Sequence, residues 1–167
     1  MRQALIALLI MLGIGISPYS MAASDTQSNE EAFVDVIGSI CEREAFDIMI
    51  IKQSGGTPDV AQQYLNNEIL QPLQKTIQED AKVNPDFGQL IIDLSAVFSQ
   101  IILRMAWEDN TNVVQEQVTK YGSAELNQKQ QEETWEQIKT HAAGFSTQME
   151  MMCETELHKA IPTLQKK

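Results

Sequence analysis

The stretch Phe33-Val34-Asp35-Val36-Ile37-Gly38-Ser39-Ile40-Cys41-Glu42-Arg43-Glu44-Ala45-Phe46-Asp47-Ile48-Met49-Ile50-Ile51 decides the fold class. Laid on a helix at about 100° per residue, Phe33, Val34, Ile37, Ile40, Cys41, Ala45, Ile48 and Ile51 gather on one face. Asp35, Ser39 and Glu42 oppose them. The strict alternation of a half-buried strand is absent here and in every later segment. The spacing predicts a helix from about Glu30 to Gln53. Ser54-Gly55-Gly56 closes it, because glycine enters the left-handed backbone of a helix end without a Cβ clash.

Downstream the same period recurs between clear punctuation. Thr57-Pro58-Asp59 is a helix start, with a hydroxyl cap, a proline at the first helical position and an acid near the positive end of the dipole. That second helix carries Val60, Tyr64, Leu65 and Ile69. Pro72 interrupts it, as a kink or as the start of a new helix bearing Leu73, Ile77 and Ala81. Asn84-Pro85-Asp86 opens a third helix reaching Trp107, apolar around most of its circumference and polar only along Gln89, Asp93, Gln100 and Arg104. A helix wet along one strip reads as the central member of a bundle. The sharper alternative leaves part of its apolar surface open as a groove for a partner helix or an acyl chain.

Thr111 is expected to cap a short helix through Val114 and Val118 to Tyr121, stopped by Gly122. Ser123 is expected to cap a long last helix whose polar first turns, Asn127 to Glu133, project into solvent. From Trp135 the rhythm becomes regular: Trp135, Ile138, Ala142, Phe145, Met149, Met152, a pattern that packs nearly parallel to a neighbour. Gly144 interrupts it as a weak point or a close contact, and Pro162 ends it. The expected fold is all-α, a four- or five-helix bundle with a long C-terminal helix.

Working back to the N-terminus, Met1-Arg2, the apolar run from Ala4 to Leu12, the breakers Gly13, Gly15 and Pro18, and Ser20-Met21-Ala22 form the grammar of a secretory signal. A membrane anchor needs ~20 apolar residues, and Pro18 with the polar residues after Ser20 stops the run too early. The organisation read from this is a cleaved signal peptide at 1–22, a polar disordered leader at 23–29 and one helical domain at 30–167. The third helix carries Asp93, Gln100 and Arg104, which argues against a second membrane span. The chain has 12 basic and 23 acidic side chains, a net charge of −11. Nothing basic extends beyond Lys166-Lys167, so attraction to nucleic acid or to an anionic membrane is a poor expectation.

The two cysteines, Cys41 and Cys153, each fall on the apolar face of a long helix. In an exported protein they are expected to meet as one disulfide. A cysteine nucleophile lacks a nearby base, since both histidines, His141 and His158, lie on the last helix. Glu44 stands out because it falls near the centre of the first helix's apolar face. A carboxyl there either pairs with a cation, such as Arg104 or a histidine, or stays protonated.

Met149, Met151, Met152 and Cys153 suggest a soft-metal site, but at helical spacing Met151 points away from the others. Glu108 to Asn112 lacks the glycine and glutamate of a calcium loop, and the histidines lack zinc spacing. No cofactor, metal or catalytic residue is expected. The reading that follows is an exported, soluble, non-enzymatic protein that binds another macromolecule. The leading form is a periplasmic inhibitor or immunity-type protein masking a basic partner. The alternatives are a chaperone-like or accessory subunit using the third helix, and a small hydrolase using Glu44. Oligomeric state is left open.

Overall fold

The computed structural model describes residues 26–79, 85–122 and 125–164. The expected signal peptide, the start of the leader, Ala81, Asn84 and Ser123 lie outside them. The elements are α1 (Thr26–Gln53), α2 (58–79), α3 (Pro85–Glu108), α4 (Val113–Tyr121) and α5 (Gln128–Leu164). Among the described residues there is no strand, and the chain is all-α.

Helix α1 starts four residues before the predicted Glu30, so residues 26–29 of the expected leader are helical. No glycine or proline stands between Thr26 and Glu30, and a helix once nucleated propagates at little cost. The far end is as predicted. Gly55 adopts φ 84°, and the Gly56 N–H donates to the Ile51 carbonyl at 2.8 Å while Gly55 donates to Lys52. These paired bonds satisfy carbonyls that the helix leaves open.

Helix α2 is capped by the Thr57 hydroxyl, which accepts from the Val60 N–H. It passes Pro72 without a break. The segment Leu65–Leu70 widens into a π-helix, and the Gln71 N–H donates to Asn66, five residues back. The wider turn just before Pro72 accommodates a ring that would otherwise crowd the carbonyl four residues earlier.

The central helix is α1, not α3. It packs against α5 over the most extensive contact in the molecule, against α3 on an adjacent face and against α2 beyond that. Val36 and Met49, outside the face predicted for α1, are also fully buried. Apolar side chains on two adjoining faces let one helix serve two neighbours. By contrast α3 buries one stripe: Ile91, Ser95, Phe98, Ser99, Ile102 and Ala106.

Three helix ends differ from expectation. Asn112, not Thr111, caps α4 by accepting from the Gln115 N–H, and Gly122 ends it at φ 65°. Helix α5 starts at Gln128, where the Asn127 side chain accepts from the Gln130 N–H and the Gln130 side chain accepts from the Asn127 N–H. This reciprocal pair does the work assigned to Ser123. Helix α5 also continues through Pro162 to Leu164. Its polar first turns are mostly exposed, but α4 lies along them, with Tyr121 donating to Glu133 and Gln117 to Gln137.

Candidate functional site

Cys41 and Cys153 form a disulfide, with sulfurs 2.07 Å apart and both side chains buried between α1 and α5. Cys153 is therefore not free to bind a soft metal beside Met149. Met151 is 53% exposed, on the other side of α5. Among the described residues, no group of three or more His, Cys, Asp and Glu side chains is placed to hold a metal ion.

Glu44 is wholly buried at the contact of α1 with α3. Neither expected cation reaches it. Arg104 lies at the surface in an ion pair with Glu108, and His141 pairs with Asp109. Burial pushes the Glu44 carboxyl up to about 8, against a smaller opposing effect of its hydrogen bond with Ser99. The Ser99 hydroxyl oxygen is 2.8 Å from Glu44 Oε2 and 2.7 Å from the Ser95 carbonyl. One hydroxyl proton cannot serve both acceptors. A protonated Glu44 resolves this by donating to Ser99, which then donates to Ser95. Glu44 Oε1 and Ser95 Oγ remain without a protein partner. The arrangement suits a neutral structural acid: among the described residues, burial and the Ser99 hydroxyl are what act on its carboxyl.

A second polar cluster was not anticipated. Gln53, at the end of α1, donates to the Thr111 carbonyl at 2.8 Å and accepts from the Val113 N–H at 3.0 Å. Lys52 donates to the Asp109 carbonyl, and the Asp109 side chain accepts from the Thr111 N–H. His141 Nε2 on α5 lies 2.9 Å from Asp109 Oδ2. Burial opposes the charge on Asp109, but the two hydrogen bonds with Thr111, with help from His141 and Lys52, hold its carboxyl below the ordinary value. Two helices, α1 and α5, thus fasten the α3–α4 corner. In the sequence the run Glu108-Asp109-Asn110 and the cap expected at Thr111 mark a turn, and nothing local names Gln53 or His141 as its partners.

Three surface features remain. The first is a cleft of about 560 Å³ between α1, α2 and α5, lined by Arg43, Phe46, Asp47, Tyr64 and Ser146 among others. Tyr64 donates to Asp47 at 2.5 Å. Burial first, and then the Asp47 carboxylate, raise its phenol to about 12. The second is an acidic seam along α1 and α5, formed by Asp35, Glu42, Glu150 and Glu154. Burial, then Glu42, Glu154 and Asp35, raise the Glu150 carboxyl. None of the four makes an ion pair among the described residues. The seam is readable in hindsight, since Asp35 and Glu42 recur after seven residues and Glu150 and Glu154 after four.

The third is the outer side of α3. Leu90, Leu94 and Ile101 are half-buried there and Val97 is 56% exposed. By length and hydropathy this helix passes for a membrane span, and a third of its most apolar window is buried. No family model, curated protein or solved structure matches the chain.

Proposed function

We propose that the protein is exported, loses residues 1–22, and acts without catalysis by binding a basic macromolecular partner, as a periplasmic inhibitor or immunity-type protein does. The observation that carries this reading is the acidic seam. Burial first, and then the crowding of Glu42, Glu154 and Asp35 around it, raise the Glu150 carboxyl, and among the described residues no ion pair offsets the four acids. A basic surface docked there relieves that repulsion, and the negative field accelerates encounter. Loss of Arg2 with the signal peptide takes the net charge from −11 to −12.

The disulfide supports export, because such bonds persist in oxidising compartments. The packing of α1 against α5, α3 and α2 supports a four- or five-helix bundle. The charged and amide residues on α3 favour a soluble helix over a membrane span. A mainly negative surface likewise disfavours nucleic acid.

The test is capture of partners from a periplasmic fraction with the wild type and with Glu42→Lys/Glu150→Lys. Wild-type association with the purified partner is expected to slow steeply as salt rises, and the double variant to bind weakly. A salt-insensitive association rate counts against the reading. A second reading, an accessory subunit that takes an apolar helix or acyl chain, is favoured by the half-exposed strip on α3. Binding of an apolar fluorescent dye to the native protein, abolished by Val97→Arg, is its expected mark.

A further inference from the structure

The strip on α3 has an internal symmetry that selects its occupant. Leu90, Leu94, Val97 and Ile101 follow at intervals of four, three and four, the rhythm of helices that pack side by side. Along its edge lie Asp93 and Arg104, both exposed and 11 residues apart. That separation is about three helical turns, so the two project in nearly the same direction ~16 Å apart. Arg104 is the single basic residue of α3. Val97 sits between the two charges and is, among the described residues, the most exposed large apolar side chain.

We propose that this face is the interface of a two-fold symmetric homodimer in which α3 packs antiparallel against α3 of a second copy. An axis near residues 98–99 exchanges the two ends of the helix. It brings Asp93 of each copy to Arg104 of the other, with Val97 and Ile101 of both copies packed around the axis. A two-fold contact requires such self-complementarity, because each residue must face its own counterpart's partner. The present neighbours of both charges are easily exchanged. Arg104 holds Glu108 at 3.7 Å in a solvated pair, and Asp93 accepts from Gln89 one turn away. Exposed pairs of this kind bind weakly.

Charge also argues for a second copy over a foreign occupant. The chain is strongly acidic, yet on this face Arg104 offsets one of the two acids Asp93 and Glu108, so two copies meet here with much less repulsion than the net charge of −11 implies. An acyl chain or an unrelated apolar helix makes no use of an acid and a base at matched distances from that axis. The acidic seam lies on the side of α1 that carries Glu42, away from the Glu44 side that meets α3, and stays open in the dimer. This inference therefore does not depend on the inhibitor reading.

Sedimentation of the soluble protein recovered from expression of the full reading frame tests it. The wild type is expected to be a dimer and Val97→Arg a monomer, with helical circular dichroism and the disulfide unchanged. Asp93→Arg and Arg104→Asp are each expected to weaken the dimer at least about tenfold, and Asp93→Arg/Arg104→Asp together to restore most of that loss. A wild type that is monomeric at every attainable concentration overturns the proposal. So does a dimer indifferent to Val97→Arg, a double variant no stronger than the singles, or a monomer that floats with lipid vesicles through α3.

Discussion

At Glu44 a single carboxyl imposes a pH dependence on the whole chain. Its folded value of about 8 lies above the ordinary 4.5, so folding takes up a proton that the unfolded chain has released. Stability from this group is complete below pH 4.5. It falls by about 1.4 kcal/mol for each pH unit above that, until the folded acid ionises near pH 8. Glu44→Gln is expected to raise the unfolding free energy at pH 7 by roughly 2–3 kcal/mol and to flatten the slope across that window. Urea titrations at several pH values measure both, and an unchanged slope refutes the assignment. Gly144 gives a simpler prediction. A Cβ built there meets nothing within 4 Å, so Gly144→Ala is expected to stabilise α5 by about 0.5–1 kcal/mol. Thermal unfolding is the check. Of the two readings its position allowed, weak point and close contact, the first holds. At Gly38, by contrast, a Cβ comes within 2.9 Å of the Glu154 carboxylate, so an added methyl displaces that side chain.

Among the elements, the α3–α4 corner depends on groups drawn from elsewhere. Gln53→Ala removes two hydrogen bonds and leaves the buried Val113 N–H without an acceptor. The expected cost is roughly 2–3 kcal/mol, with faster amide exchange confined at first to α4. Exchange that accelerates uniformly across the molecule speaks against a local fastening. The sequence could not expose this arrangement, because a glutamine at a helix end looks like any solvated glutamine. Its two partners follow 58 and 60 residues later. Local signals did succeed where their chemistry is local: Thr57-Pro58, Gly55 and Gly122 start or stop helices as read. They failed where several caps competed, by one residue with Thr111 beside Asn112 and by four with Ser123 ahead of Asn127. Pro72 was legible as a disturbance, but only the π-helical turn before it decided that α2 continues.

For the molecule as a whole, the disulfide joins the two helices with the largest contact and closes a separation of 112 residues. Cys41→Ala/Cys153→Ala is expected to lower the unfolding free energy by about 4–5 kcal/mol, mainly by freeing the unfolded chain. Denaturant unfolding of the oxidised wild type against the variant measures this; equal stabilities defeat it.

Helical class, the apolar face around Cys41 and the meeting of Cys41 with Cys153 were set by periodicity and by which faces must be buried, and both are properties of the chain itself. Which helix stands at the centre was not. Every apolar face asks for cover, and periodicity states the need without naming the neighbour. Packing chose α1 for the middle and left α3 half-covered, against the expectation drawn from its greater hydrophobicity. It also left Glu44 without a cation and gathered Asp35, Glu42, Glu150 and Glu154 into one seam. Charges far apart along a chain acquire a common field only when packed helices bring them within reach of one another.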